Sequence, residues 1–271
     1  MSLTTSASHS QSKAQIHALF VALWCGWCWA APASAQVILD PGHGGSNLGA
    51  AGPLVFEKSV TLEIAQKTAR ILAQEFHRQS VLTRTTDAYV SLAERVAVAN
   101  QNQGQLLVSI HCNSNDRRGS KGFEVFFIDN EGVVEPENRL ALEVRKSNIE
   151  VVNRVLTDLR IQKLQRLSGA LAAAINAALD LALQSPNRGI KQANFNVLYG
   201  ALMPAVVVEM GFINDRQEGR SLASESYQES VAVALAQGID AWLVAQKIQP
   251  DLTAAPQATG KEGARTSNGR L

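Results

Sequence analysis

The chain has 271 residues, of which 46% are hydrophobic, 18% charged and 6% aromatic, a globular composition that excludes a disordered or fibrous protein. Its 25 Lys and Arg against 24 Asp and Glu give a formal charge of +1, so no basic field points to nucleic acid. Cys25, Cys28 and Cys112 supply neither a disulfide framework nor a four-thiolate zinc site.

Residues 16–31 (IHALFVALWCGWCWAA) form an apolar run a little short of the ~20 residues that span a bilayer as a helix. Lys13 precedes the run, and Ala33-Ser34-Ala35 follows it as a small-x-small cleavage signal. Segment 1–35 therefore reads as a secretory signal peptide, with a retained membrane anchor as the alternative. Bulky Trp27 before Cys28 argues against a lipoprotein. Cleavage leaves 24 basic and 24 acidic residues, no stable membrane anchor, and Cys112 as the only thiol. An exported chain with one thiol cannot close an internal disulfide, so its core must hold it together.

After Gln36, short β-branched runs alternate with longer helical stretches, which predicts a single α/β domain. The expected architecture is a central, mostly parallel twisted sheet with helices on both faces. Val37-Ile38-Leu39 reads as a strand ended by Asp40-Pro41-Gly42, strong turn chemistry. Ser59 is positioned to cap a helix over 60–76, on which Val60, Ile64, Ile71 and Leu72 recur near helical spacing. A strand near 80–84, a helix near 91–102 and a buried-type strand 106–110 (LLVSI) follow, then a strand 122–128 (GFEVFFI).

A helix is expected over 163–183, ended by Pro186-Asn187-Arg188-Gly189, then a strand 205–209 (AVVVE) and a last helix near 225–246. Val231, Leu235, Ile239 and Trp242 line one face of that helix. The domain runs over 36–248, and the polar tail 249–271 reads as disordered. Over thirty residues separate Ile128 from the helix near Lys163, far more than the ~4–6 of an ordinary connection. Within them, 139–160 is amphipathic, so 131–160 reads as a helical insertion.

Three polar groups fall at the ends of three predicted strands. His43 lies in the Gly-rich turn after 37–39, His111 follows Ile110, and Glu209 ends the run 205–208. If those strands are parallel neighbours, all three converge on the C-terminal rim, where open α/β sheets place their sites. Two imidazoles with carboxylates form a zinc-type donor set, although a histidine after a strand is also a common structural residue. Residue pattern alone leaves Glu57 and Glu63 open as the third ligand.

The motifs LDPGHGG (39–45), EKSVTLEIA (57–65), LTRTTD (82–87), SLAERVAVAN (91–100), SIHCN (109–113), GFEVFF (122–127) and VEMGFIND (208–215) together resemble the zinc-dependent N-acetylmuramoyl-L-alanine amidases of bacterial cell walls. The resemblance runs in register over 37–245. It implies Zn2+ held by His43, Glu57 and His111, with Glu209 as the catalytic glutamate. It also assigns the metal position to Glu57 and leaves Glu63 as an ordinary helix residue. Asn113 and Arg188 are cleft-lining candidates for which a turn or capping role serves equally, and Cys112 reads as a small buried side chain.

The implied reaction is hydrolysis of the amide between the muramoyl lactyl group and L-alanine of peptidoglycan, in the periplasm. Segment 131–160 resembles in position and length an insertion that covers the zinc site in division-associated relatives and is withdrawn by an envelope activator protein. Glu143 and Glu150 are the candidates for a residue that blocks the metal. The rival readings are a zinc peptidase of the stem peptide and a catalytically inactive wall-binding or regulatory domain. No HExxH helix is present, which removes one large peptidase class.

Overall fold

The computed structural model describes residues 36–115, 119–129 and 150–247. The leader 1–35, the tail 249–271 and positions 131–149 of the insertion, Glu143 among them, lie outside the described residues. Six strands form one sheet: β1 (Gln36–Pro41), β2 (Gln79–Leu82), β3 (Leu106–Asn113), β4 (Phe123–Phe127), β5 (Asn187–Gln192) and β6 (Ala205–Phe212), in the order β2-β1-β3-β6-β4-β5. All neighbouring pairs are parallel except β4 with β6. The expected α/β architecture is therefore present, and the sheet is mixed, mostly parallel.

Alternation along the strands divides the core. Val37 and Leu39 of β1, Leu106, Val108 and Ile110 of β3, and Val206, Val208 and Met210 of β6 join one apolar cluster. That cluster is closed by three helices, α1 (Glu57–Glu75), the second half of α3 (Glu150–Ala182) and α6 (Glu225–Ala245). On α6 the buried side chains include Val231, Leu235, Ile239 and Trp242, the face expected from spacing. Ile38, Leu107 and Val207 point to the other side, under α2 (Leu92–Gln101) and α4 (Asn196–Tyr199). Each fully buried aliphatic side chain contributes about 1.5–3 kcal/mol, enough for the core to need no disulfide.

The element boundaries differ from expectation where the site is built. β3 and β6 continue beyond 110 and 209, so His111 and Glu209 lie within strands. Helix α1 begins at Glu57, and Phe56 rather than Ser59 occupies its N-cap, without a side-chain cap bond. Backbone carbonyls take the place of a cap. Glu57 N donates to Ala50 O at 3.0 Å, Lys58 N to Leu48 O at 3.2 Å and Ser59 N to Phe56 O at 3.1 Å, satisfying amides that a helix start leaves open. Helix α2 begins with Ser91 and Glu94 in a reciprocal capping box.

Residues 150–160 of the expected insertion are continuous with the helix expected from 163. They form the first turns of α3, 33 residues long, on the order of 50 Å at 1.5 Å per residue. The stretch 186–189, expected only as a helix-ending turn, instead opens the edge strand β5, which runs over Asn187–Gln192. Helix α5 (Arg216–Leu222) follows β6, capped by Asp215. Among the described residues no helix is long and apolar enough to cross a membrane.

Candidate active site

Strand β1 leaves the sheet earlier than its neighbour β3. The last paired residues are Pro41 and Ile110, after which Gly42 N donates to Ile110 O at 3.0 Å and the chain turns away. β1 is also where the topology reverses, since β2 lies on one side of it and β3 on the other. A crevice at such a strand end is the usual ligand position of an open α/β sheet. His43 occupies the turn with φ of 61°, a left-handed conformation that side chains adopt only when their surroundings hold them there.

Two buried arginines hold that turn. Arg95 donates to His43 O at 2.6 Å and to Pro41 O at 2.6 Å, while Arg84 donates to Pro41 O at 2.9 Å and Gly42 O at 2.8 Å. Arg95 is paired with buried Asp40 at 2.7 Å, which also accepts from Thr83 at 2.5 Å and Ser109 at 2.7 Å. Every oxygen of this carboxylate is used, which is what lets an ion pair persist in the interior. The motifs LTRTTD and SLAERVAVAN supply Arg84 and Arg95, whose role in shaping the turn the spacing did not reveal.

His43, Glu57 and His111 meet beside this turn, each offering a ligand atom within 4.8 Å of the others. Glu57 Oε2 lies 3.0 Å from His43 Nε2, and Glu57 Oε1 lies 3.0 Å from His111 Nδ1. The carboxylate also accepts Ala50 N at 2.8 Å and Cys112 N at 2.9 Å. The two rings stand edge to face, 5.0 Å between centroids. Gly42 is required here, because a Cβ at that position would overlap the His111 ring.

Asn47 fixes the state of His43, a contact not anticipated from the sequence. Its Oδ1 accepts Gly49 N at 3.2 Å and lies 3.0 Å from His43 Nδ1. An oxygen only accepts, so Nδ1 carries a proton toward Asn47, and Nε2, which faces Glu57 Oε2 at 3.0 Å, is the nitrogen left for a metal in the Nδ1–H tautomer. An imidazole oriented through its second nitrogen is the common arrangement of a metal-ligating histidine. The donor set, its buried carboxylate and this tautomer together fit a metal ion. The imidazoles are 23% and 24% exposed, so the group is reachable from solvent.

The electrostatics of the group are those of two imidazoles sharing one carboxylate. Burial opposes ionisation of Glu57, but hydrogen bonds and charge from His111 and His43 outweigh it and hold its carboxyl well below the usual range. Burial likewise opposes protonation of His111, yet Glu57, Glu209 and Asp40 push its pKa upward. Burial raises the thiol of Cys112, which makes it inert as a nucleophile.

Glu209 is the register partner of His111 across β3 and β6. Its Oε2 is buried and has no hydrogen-bond partner among the described residues. Burial first, then the charges of Glu57 and Glu124, push its carboxyl from the ordinary 4.5 up to about 7, against the opposing His111 and His43. A carboxylate poised near neutrality, with an unused oxygen beside a metal-type donor set, is equipped to take and return a proton.

The other candidates separate. Glu63 is exposed on α1, away from the donor group. Glu150, in the first turn of α3, is exposed and pairs with Arg154 at 2.5 Å. It is not part of the donor group, which among the described residues consists of His43, Glu57 and His111. Asn113 donates to Glu124 at 2.5 Å, and Arg188 donates to the same carboxylate at 2.9 Å. Glu124 was not singled out by sequence, although a lone acid within GFEVFFI was a usable signal.

A mixed α/β sheet carrying a His–Glu–His donor group beside a carboxylate with one buried, unpartnered oxygen has the make-up of a metal-assisted hydrolase. Residues 37–241 match the N-acetylmuramoyl-L-alanine amidase family. A sporulation-specific N-acetylmuramoyl-L-alanine amidase of Bacillus subtilis is 32% identical over 206 residues, covering 76% of this chain and 67% of that protein. AmiA of Escherichia coli K12 is 31% identical over 215 residues, covering 75% of this chain and 74% of that protein. The solved structure of the amidase AmiC2 of Nostoc punctiforme superposes with a TM-score of 0.62 at 32% identity, over 78% of this chain and 97% of that one. The chain belongs to the N-acetylmuramoyl-L-alanine amidase family.

Proposed function

We propose that this protein hydrolyses the amide bond between the N-acetylmuramoyl lactyl group and L-alanine of peptidoglycan. Family membership gives the reaction, and one observation supports the division of labour within it. His43, Glu57 and His111 form the donor group, and Glu209, the register partner of His111, keeps a buried Oε2 with no hydrogen-bond partner among the described residues. His43, Glu57 and His111 would hold a zinc ion, whose positive charge activates water and polarises a carbonyl.

The remaining work falls to the chain itself. Asn47 keeps His43 in the ligating tautomer, and Arg84 and Arg95 keep its backbone in place. Glu209 accepts a proton as water attacks the lactyl carbonyl carbon. It then returns that proton to the nitrogen of L-alanine as the carbon–nitrogen bond breaks. The products are a glycan strand bearing a free lactyl carboxylate and a stem peptide with a free amino terminus.

Segment 1–35 serves as the export signal in this reading, and the enzyme acts in the periplasm during wall remodelling and daughter-cell separation. In this reading segment 131–160 restrains the enzyme until an envelope activator displaces it. Deletion of 131–160 then raises activity on purified peptidoglycan, and an unchanged rate removes that regulatory role. No observation favours an inactive binding domain or a stem-peptide peptidase.

Mass analysis of fragments released from purified sacculi tests the reaction, with wild type and Glu209→Ala run in parallel. Wild type should release peptides that begin with L-alanine, and the variant should not. Fragments cut within the stem peptide would instead establish a peptidase.

A further inference from the structure

The face that carries His111 and Glu209 continues across the sheet into a charged cluster that the hydrolytic chemistry leaves unused. Glu124 on β4 is the register partner of Glu209. Beyond it, edge strand β5 sends Arg188 and Lys191 onto the Glu124 carboxylate. Two cations and Asn113 therefore share one buried acid, and the cluster keeps a net positive charge.

Both cations are propped from below as well. The Arg188 guanidinium lies over the Phe212 ring at 5.0 Å, and Lys191 Nζ lies 5.7 Å from the centre of Phe126. Gly122 makes room for the first of these, since a Cβ there would press on Arg188 Cγ at 2.9 Å. Arg188 spends only its Nε on Glu124, so its terminal nitrogens have no partner among the described residues. The side chains of Arg188 and Lys191 are 36% and 40% exposed. A guanidinium fixed in place, with its outer donors unspent among the described residues, is a preformed receptor for a carboxylate.

We propose that Arg188, assisted by Lys191, binds a carboxylate of the stem peptide on the leaving-group side of the scissile amide. This rests on the amidase reading. If Glu209 protonates the departing nitrogen, the peptide leaves the metal group over Glu209 and crosses β4 toward β5. Strands are about 4.8 Å apart, and Arg188 and Lys191 both reach back onto Glu124, one strand from Glu209, so their charged ends stand roughly 5–7 Å beyond it. One to two residues of extended chain, at about 3.3–3.6 Å each, cover that distance. The acid recognised is therefore that of the residue following L-alanine.

Two defined compounds test this: N-acetylmuramoyl-L-alanyl-D-glutamate, joined through L-alanine, and its counterpart with the second residue's α-carboxylate converted to the carboxamide. Wild type should cleave the acid with about tenfold higher kcat/KM, mostly through KM, as expected for a lost charge-assisted contact. Arg188→Gln should bring the acid-to-amide ratio close to one, and Arg188→Lys should restore part of it. Lys191→Gln, on the edge strand, should reduce the ratio less and gives the same readout if Arg188→Gln does not fold. Equal cleavage of both compounds by wild type, or a wild-type ratio in both Gln variants, overturns the proposal and leaves the amidase reading intact. Failure to cut the lactyl–alanine bond of either compound overturns the amidase reading and this proposal with it.

Discussion

His111 and Glu209 are register partners on the parallel strands β3 and β6, so their side chains leave the same face of the sheet about 4.8 Å apart. His111 also contacts Glu57 at 3.0 Å, whereas Glu209 Oε2 has no hydrogen-bond partner among the described residues. Adjacent positions thus have different duties, one in the donor group and one free to exchange a proton.

Replacing Glu209 with Gln removes the proton acceptor and keeps the shape. Zinc content should remain at one per chain while kcat falls by about 10²–10⁴, the usual range for loss of a general acid–base group. Metal analysis and turnover on sacculi check this, and loss of zinc in the variant would place Glu209 in the donor group instead.

Asn47→Ala removes the acceptor that holds His43 Nδ1–H. Zinc affinity should fall by about 10–100-fold, the range seen when partners of metal-ligating histidines are removed. Competition with a chromophoric chelator measures it, and an affinity equal to wild type would show that the ring is oriented by other contacts.

Arg95→Met leaves the Asp40 carboxylate buried with only Thr83 and Ser109 as side-chain partners. Breaking one side of such a pair costs about 3–5 kcal/mol, and removing Asp40 as well should return part of that. Urea unfolding of Arg95→Met, Asp40→Asn and the double variant checks both points. Strictly additive losses would mean that the two residues act independently.

The raised carboxyl of Glu209 makes the metal-stripped protein sensitive to pH. Between the ordinary 4.5 and about 7 the folded state holds a proton that the unfolded state has released. Stability therefore falls as pH rises through that window and levels off above it. His111 adds a change of the same sign, since its stabilising pairing is lost as pH rises through its elevated pKa. Glu57, held low, acts oppositely, its contribution being lost only on acidification below the ordinary carboxylate range. The stripped protein should lose roughly 5 °C of Tm between pH 5 and 7.5, corresponding to about 2 kcal/mol, and Glu209→Gln should lose much less. An identical slope in the variant would assign the effect to other groups.

The contrast between sequence and structure follows from where the information lies. LLVSI is mostly apolar and runs directly into His111, and AVVVE is apolar up to its final Glu209, so both site residues are legible from local pattern. Glu57 was not distinguishable from Glu63 by pattern, because its place is set by the loop 49–56, which caps α1 with carbonyls. Strand β5 (NRGIKQ) pairs on one edge only and is mostly exposed, so it carries no hydrophobic alternation to read. Helix α3 starts earlier than expected because nothing between 150 and 168 breaks it, Gly169 being its first glycine. The charged row through Glu124 to Arg188 depends on the antiparallel pairing of β4 with β6, a relationship that sequence spacing does not encode.

The central claim is that three residues far apart in the chain hold one zinc ion. Its most direct test is the zinc content of purified wild type and His111→Ala, with circular dichroism confirming that both are folded. The account predicts one zinc per wild-type chain and almost none in the folded variant. A folded His111→Ala protein with a full complement of zinc would contradict it.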